Sequence, residues 1–238
     1  GVQTCALPIC STTLYYFCNI TQIVMGMISM NKKIVITLER QFGSGGLEIG
    51  KKVADKLGIP CYNKEILQQA AEKCNVPEEY LESMQEEVSQ SFLYKLSLAS
   101  KSGKKIDNII SKSNILYNEI VKIINKMASS GSCVIIGRCA DFILRDLDSC
   151  FHTFIYADME SRIKRVIEEY GVSPGSAEYI IKKNDKRRES FYSGNTGHTW
   201  GLKEHYNICL NSGKFGVENC SDIIIRSEER RVGKECRS

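Results

Sequence analysis

Residues 33–57 read KIVITLERQFGSGGLEIGKKVADKL, and this segment determines the class of fold. Lys33–Leu38 is an apolar, β-branched run that is too short for a helix and typical of a buried parallel strand. A glycine-rich turn, Gly43–Gly46, comes next, and apolar residues at positions 49, 53, 54 and 57 then repeat with helical spacing. A strand, a glycine-rich turn and a helix in this order bring backbone N–H groups and the positive end of a helix to a phosphate.

The rest of the chain alternates between the same two kinds of element. Residues 64–128 are almost entirely helical in pattern, and Pro77 begins one of these helices at its first turn. The buried-strand pattern returns in three places: Cys133–Ile136, Phe151–Tyr156 and Asn207–Leu210. Further helical patterns cover Met159–Glu169, Ser176–Glu189 and the beginning of a helix at Val217–Ile225, with a loop predicted at 193–201. Strands that alternate with helices predict an α/β fold built on a parallel sheet.

The composition of the 238 residues excludes several classes of protein. Hydrophobic residues make up 42% and charged residues 25%, which is typical of a globular protein and excludes a disordered chain. The net charge of +4 is too small for a general nucleic-acid coat, so we expect no nucleic-acid partner. No run approaches the roughly 18 apolar residues that a membrane-spanning helix needs, so we expect no membrane association.

The cysteines and histidines indicate neither a disulfide framework nor a metal site. Residues 30–225 contain seven of the eleven cysteines, an odd number with no CxxC spacing. The three histidines of the chain are not at metal-ligand spacing. Reduced cysteines that fill apolar positions are typical of a cytoplasmic protein, and the cytoplasm is the location we expect.

The two ends of the chain differ from the middle. Residues 1–29 contain no charged side chain, whereas residues 30–225 carry charge at ordinary density. The opening GVQTCALPI and the closing RSEERRVGKECRS resemble translated sequencing-adaptor DNA. A signal peptide and a charged tail are the alternatives, but no Lys or Arg precedes the first apolar run. We therefore expect a non-native leader at 1–29, a folded domain at 30–225 and a non-native tail at 226–238.

The glycine-rich turn is a partial match to the standard phosphate loop. That motif reads GxxxxGK[ST], in which the lysine contacts the terminal phosphates and the hydroxyl holds Mg²⁺. Aligned with it, this chain has Arg40 at the first glycine, Gly46 at the lysine and Leu47 at the hydroxyl. The turn therefore keeps the glycine-rich backbone of the motif but lacks the lysine and the hydroxyl side chain. A tight turn that binds no ligand is the alternative.

Several longer segments are more specific. ITLERQFGSGGLEIGKKVADKLGIPCYNKEIL resembles the opening of the cytidylate kinase-like family, a branch of the nucleoside monophosphate kinases. VIIGRCADFIL, FIYADMESRIKRV, IIKKNDKRRESFY and YNICLNSGKFGVE match later parts of that family in order and spacing. The resemblance implies a three-layer P-loop fold with a five-stranded parallel sheet, a helical acceptor-binding insert at about 62–128 and a lid at about 175–200. It also implies phosphoryl transfer from ATP to a nucleoside monophosphate, CMP or dCMP.

On the donor side, the resemblance assigns phosphate binding to the turn. The residues concerned are Arg40, Gly43, Ser44, Gly45 and Gly46. Mg²⁺ is implied as the cofactor and would arrive bound to ATP, since no protein ligand for the metal can be assigned from the sequence.

On the acceptor side, Gly137-Arg138 matches a GRD segment at the end of a predicted strand. The resemblance implies that Arg138 holds the phosphate of the acceptor and that Asp141 lies beside it. A planar guanidinium pairs with phosphate oxygens in a bidentate way, and ligands of α/β proteins bind at the carboxyl ends of strands. A surface arginine and an acid in the first turn of a helix are the alternatives. Arg162 and Arg165, three residues apart on a helix, are more simply explained as a solvated face.

The basic run Lys182–Arg188 is the strongest electrostatic feature, with five cations and one anion in seven residues. As a pattern it predicts either a solvated helix face or a phosphate-binding surface. The resemblance matches Asp185 and Arg188 to the D-x-x-R of a kinase lid, and it implies that these two, with Arg187, act on the transferring phosphate. Such catalysis depends on positioning and on charge neutralisation by Arg, Lys and Mg²⁺.

Three functions remain open at this point. The first is an ATP-dependent nucleoside monophosphate kinase. The second is a nucleotide-binding module that has lost catalysis, which Gly46 and Leu47 favour. The third is a small-molecule kinase with another acceptor, because residues 62–128 carry no acceptor motif. A Rossmann dehydrogenase is disfavoured, since no G-x-G-x-x-G follows the first strand. The sequence leaves the oligomeric state open.

Removing residues 1–29 tests the expected start at Met30. Because an unpacked segment contributes little to stability, the free energy of unfolding should change by less than about 0.5 kcal/mol. Urea denaturation of the full chain and of the chain that begins at Met30 measures the difference. A loss of several kcal/mol would show that the segment packs on the core.

Overall fold

The computed structural model describes residues 33–74 and 106–235. The strands in these ranges are β1 (Val35–Arg40), β2 (Cys61–Tyr62), β3 (Cys133–Ile136), β4 (Cys150–Tyr156) and β5 (Ile208–Asn211). They form one all-parallel sheet in the order β2-β3-β1-β4-β5. The expected α/β fold with a five-stranded parallel sheet is confirmed.

Helices connect these strands, because parallel neighbours need long crossovers. In the described ranges the helices are α1 (Gly46–Leu57), α2 (Lys64–Cys74), α3 (Ile106–Ser130), α4 (Ala140–Ile143), α5 (Met159–Tyr170), α6 (Pro174–Thr196) and α7 (Ser212–Glu235). A 3₁₀ turn at Lys203–His205 precedes β5. Helix α1 ends at Gly58 in the left-handed conformation, which is a common way for a helix to stop.

The sheet is buried on both faces, because successive residues of a strand point to opposite sides. Val35 of β1 packs in one apolar cluster with Leu116 of α3. Its neighbour Ile36 packs in the opposite cluster with Ile49 of α1 and Ile224 of α7. The fold therefore has three layers, and burial of both faces explains why the strands read as continuous apolar runs.

The glycine-rich turn lies at the carboxyl edge of the sheet. Because the sheet is parallel, all its strands end at this edge, where ligands of α/β proteins bind. The turn follows the central strand β1 and lies between the ends of its two neighbours. Gly137 N–H donates to Leu38 O at 3.0 Å on the β3 side, and Gln41 N–H donates to Ile155 O at 2.9 Å on the β4 side.

Some element boundaries differ from the sequence prediction. Helix α6 extends through the first residues of the loop expected at 193–201 and ends at Gly197, which has φ 71°. Strand β2 and helix α4 are too short to show a period, and the sequence analysis missed them. The leader 1–29, the helix beginning at Pro77 and residues 75–105 of the insert lie outside the described residues.

Helix α7 does not stop at Ile225, where the tail was expected to interrupt it. It runs from Ser212 to Glu235, with a kink at Gly216. Glu228 is 1% exposed and accepts a hydrogen bond from Arg231 at 2.6 Å, and Arg231 also donates to Ser149 O at 3.0 Å. Residues 226–231 therefore pack against the start of β4, and the helix continues past the boundary that the sequence predicts at 225. The non-native origin of residues 226–238 stays a prediction.

Replacing Arg231 with alanine tests this packing. The change leaves the Glu228 carboxylate buried without its cation, so the free energy of unfolding should fall by about 1–3 kcal/mol. Urea denaturation measures the loss, and Arg230→Ala on the exposed side of the same helix is the control. Equal stability of the two variants would contradict the packing of residues 226–231 against the start of β4.

Candidate active site

Two left-handed glycines shape the turn between β1 and α1. Gly43 has φ 77° and Gly45 has φ 72°, a conformation that other residues rarely adopt. A Cβ on Gly43 would lie 2.9 Å from Val166 Cγ2, and one on Gly45 would lie 3.0 Å from Arg165 Cζ. The turn thus needs glycine for its backbone and for the close approach of helix α5. Gly45 caps α1, so the turn presents the amides of a helix N-terminus.

Ser44, expected at the phosphates, closes the turn. Its hydroxyl donates to Gln41 O at 2.8 Å, and its carbonyl accepts from the Ser212 hydroxyl at 2.6 Å. Gln41 in turn accepts from Ala157 N–H through its side-chain oxygen at 3.2 Å. The side chain of Ser44 therefore closes the turn on itself, whereas the Ser44 carbonyl and the Gln41 side chain hold the turn against the ends of β5 and β4.

Arg40, the last residue of β1, is buried at the base of the turn. Its side chain is 5% exposed, and its Nη1 lies 3.3 Å from Glu39 Oε1. Glu39 is buried as well, so the two charges form a pair at the end of the central strand. A buried charge is tolerated when it is paired in this way.

Helix α6 contacts the turn through the two D-x-x-R residues. One oxygen of Asp185 accepts the Phe42 N–H at 2.7 Å, and the other accepts from Arg162 Nη1. Arg188 donates to Arg40 O at 2.6 Å, and its guanidinium lies 5.6 Å from the centre of the Phe42 ring. The structure thus brings Asp185 and Arg188 to the turn. Arg187, the third expected residue of this helix, is half-buried beside Arg188.

Arg162 and Arg165 are functional candidates that the sequence analysis treated as a solvated face. Arg162 is 6% exposed and donates to both Asp185 and Phe42 O. Arg165 lies against Gly45 and pairs with Glu48 at 3.1 Å. One signal was present in the sequence: Arg162 is four residues from buried Val166, which places both on the inner face of α5.

The segment after β3 has an unusual backbone. Gly137, Arg138 and Cys139 have φ values of 71°, 59° and 58°, so three successive residues are left-handed. Two of them are not glycine, and such residues cost free energy unless their surroundings hold them in place. The turn puts Arg138, which is half-buried, at the carboxyl end of β3, the strand that pairs with β1. Strained backbone of this kind clusters at binding and catalytic sites.

Asp141, expected near the acceptor, is buried and bonded to helix α6. Its Oδ2 accepts from the hydroxyl of Tyr192 at 2.7 Å. Burial, together with the negative charge of Glu39, raises the pKa of Asp141 to about 7. Burial also raises the pKa of Tyr192. Asp141 therefore links the β3 end to α6 as a carboxyl group that titrates near neutrality.

The described residues contain no group of three or more His, Cys, Asp or Glu side chains that could hold a metal ion. No helix in the described part of the chain is long and apolar enough to cross a membrane. The seven cysteines within it are free thiols.

Comparison with known families agrees with this geometry. Residues 35–214, from the first residue of β1 to the start of α7, match the cytidylate kinase-like family. The chain belongs to that family. The match includes the glycine-rich turn, the Arg138 segment and helix α6, so the candidate active site of this cytidylate kinase-like protein lies wholly inside the matched region.

Two solved structures with TM-scores of at least 0.50 share the fold, and a third is similar at a lower score. An uncharacterized protein from Eubacterium ventriosum is 29% identical, with a TM-score of 0.63 over 83% of this chain and 99% of that one. TT1252 from Thermus thermophilus is 15% identical, with a TM-score of 0.50 over 83% of this chain and 96% of that one. A shikimate kinase from Acinetobacter baumannii is 12% identical, with a TM-score of 0.45, over 83% and 94% of the two chains.

One curated relative is similar over part of its length. A uronate isomerase from Corynebacterium glutamicum is 22% identical over 124 residues, which are 52% of this chain. The chain spans 24% of the length of that relative.

The raised pKa of Asp141 predicts how stability depends on pH. Between the unfolded pKa of about 4 and the folded value of about 7, the folded state keeps a proton that the unfolded state has lost. The resulting stabilisation is complete below pH 4 and is lost as the pH rises through 7. Asp141→Asn stays neutral and keeps an acceptor for Tyr192, so it should lack this dependence.

Urea denaturation of the wild type and of Asp141→Asn at pH 5 and pH 8 measures the effect. Between pH 5 and pH 8 the wild type should lose more unfolding free energy than Asp141→Asn does, by more than about 1 kcal/mol. The reason is that one pKa unit is worth about 1.4 kcal/mol. Asp146→Asn, at an exposed acid, is the control. A difference that is equal at both pH values would contradict the assignment.

Proposed function

We propose that this protein transfers a phosphoryl group from ATP to a nucleoside monophosphate, with CMP or dCMP as the acceptor. Membership of the cytidylate kinase-like family supports kinase chemistry. The observation that carries the proposal is the contact between α6 and the turn, where Asp185 and Arg188 bond to Phe42 N–H and Arg40 O. Kinase chemistry needs arginines held against a phosphate-binding turn, because it depends on positioning and charge neutralisation.

The turn is suited to the phosphates of ATP. A side chain on Gly43 or Gly45 would meet helix α5 and shift the turn, and the amides that begin α1 attract anions. Gly43, Gly45 and Gly46 would hold the phosphates through their backbone. Mg²⁺ bound to ATP supplies neutralisation of the charge that develops on the transferring group. Arg188 would share that task from α6.

The β3 end is suited to the acceptor phosphate. Arg138 is held by a left-handed backbone at the carboxyl end of a strand adjacent to β1, and its fork of donors matches the geometry of a phosphate. Asp141 and Tyr192 join this end to α6. In this proposal the donor binds at the turn, the acceptor binds at Arg138, and α6 contacts both sides.

A second candidate is a nucleotide-binding protein without catalysis. Gly46 and Leu47 favour it, because they replace the lysine and the hydroxyl of the standard motif. We further propose a cytoplasmic location, which the free thiols of the described residues support.

An assay with ATP, Mg²⁺ and each of CMP, dCMP, UMP and AMP tests the function. We expect ADP formation with CMP or dCMP at a higher kcat/KM than with UMP or AMP. ATP binding without transfer to any of the four would favour the second candidate. Transfer to a different small molecule in place of a nucleotide would favour a kinase with another acceptor.

Arg138→Ala and Arg188→Ala should have different kinetic effects. Arg138 grips the acceptor in ground and transition states alike, so its loss should chiefly raise the acceptor KM. Arg188 acts on the transferring phosphate, so its loss should lower kcat by about 10²–10³. Lys164→Ala, on the exposed face of α5, is the control. Near-normal kcat in Arg188→Ala at saturating ATP would remove Arg188 from the mechanism.

A further inference from the structure

The side chain of Arg40 fills the space that a side chain at position 46 would need. A Cβ built on Gly46 would lie 2.5 Å from Arg40 Cβ and 2.8 Å from Arg40 Cγ. Cβ atoms do not approach other carbons so closely in folded proteins. In this geometry the chain can therefore carry a side chain at position 40 or at position 46, but not at both.

The far end of the same side chain reaches the neighbouring strand. A Cβ built on Gly137 would overlap Arg40 Nη1, so the guanidinium lies against the end of β3. The Arg40 side chain thus runs from Gly46, the first residue of α1, to Gly137, the residue before Arg138. In the proposed function, this path lies between the donor phosphates and the acceptor phosphate.

The sequence shows the same exchange. The standard motif GxxxxGK[ST] has glycine at its first position and lysine at its seventh. This chain has Arg40 at the first position and Gly46 at the seventh. In each arrangement, glycine at one position leaves room for a cationic side chain at the other. In this chain the cationic side chain therefore comes from the end of β1 and not from the start of α1.

We propose that Arg40 is the cation of this phosphate loop and binds the terminal phosphates of the donor nucleotide in place of the missing lysine. The inference rests on the proposed function. Glu39 lowers the cost of keeping the guanidinium buried before the nucleotide binds. A guanidinium stays charged at all relevant pH values and offers several N–H donors, so it can keep Glu39 while it binds phosphate oxygens.

The competing explanation is structural. In that explanation Arg40 fills the space between two glycines and pairs with Glu39, and it has no part in binding phosphate. The two explanations differ in what an uncharged side chain of similar length does. Arg40→Met keeps most of the volume and removes the charge, so it should impair nucleotide binding only if the charge is used.

A set of four variants tests the proposal by isothermal titration with MgATP and with tripolyphosphate. The variants are Arg40→Met, Gly46→Lys, the double variant Arg40→Gly/Gly46→Lys, which restores the standard motif, and Arg230→Met as the exposed control. Circular dichroism and urea denaturation establish which of them fold. Tripolyphosphate reports on phosphate binding without the nucleoside.

We expect Arg40→Met to raise the Kd for both ligands by about 10- to 100-fold, the range for a charge-assisted contact worth about 1.5–3 kcal/mol. Gly46→Lys alone should fold poorly or bind weakly, because its side chain meets Arg40. The double variant should fold and should recover a Kd within about tenfold of the wild type. Arg230→Met should bind as the wild type does.

Other outcomes overturn the proposal in distinguishable ways. If the wild type binds ATP and folded Arg40→Met binds it equally well, the role of Arg40 is wrong and the proposed function stands. If Arg40→Met does not fold, the double variant provides the test. A folded double variant that cannot bind ATP would show that a lysine at position 46 does not replace the cation of Arg40. If the wild type binds neither ligand, the proposed function and the role of Arg40 are both wrong.

Discussion

The carboxylate of Asp185 is the interaction on which the site depends. Its two oxygens accept from Phe42 N–H and from Arg162, and Arg162 also donates to Phe42 O. Phe42 itself packs in a small apolar cluster with Val166 of α5 and Ile181 of α6. One half-buried, doubly bonded carboxylate thus fixes the glycine-rich turn to two helices. The contact of Arg188 with Arg40 O, one turn further along α6, depends on this attachment.

This attachment involves a different part of the turn from the amides that begin α1. Asp185 bonds to the amide of Phe42, which precedes the glycines, and does not bond to the amides that begin α1. The first amides of any helix have no intrahelical partner, so those of α1 can donate hydrogen bonds to the oxygens of a phosphate. Arg188 bonds to a backbone carbonyl at the same time, and a neutral carbonyl is a weaker partner for a guanidinium than a phosphate oxygen. In the proposed function, a bound phosphate would therefore draw Arg188 from Arg40 O without disturbing Asp185.

The sequence predicted the sheet well because its strands are buried on both faces and read as continuous apolar runs. It also singled out Arg138, Asp185 and Arg188 as site residues, since the family resemblance ties them to short motifs, and their roles stay predictions. It failed where the signal is three-dimensional. Neither the packing of Arg162 under the turn nor the bond between Asp141 and Tyr192, 51 positions apart, follows from spacing. The left-handed run at Gly137–Cys139 was equally hidden, because two of its residues normally avoid that conformation.

Position 40 also explains why glycine occupies two sites that lie far apart in the sequence. Gly46 leaves room for the stem of Arg40, and Gly137 leaves room for its guanidinium. Only Gly137 has a positive φ, so the conformational preference of glycine cannot account for both. Space for one buried arginine does account for both. The three positions therefore form a single unit. A larger residue at position 46 becomes tolerable only when the side chain at position 40 is reduced, whereas one at position 137 would also have to adopt the positive φ of that position.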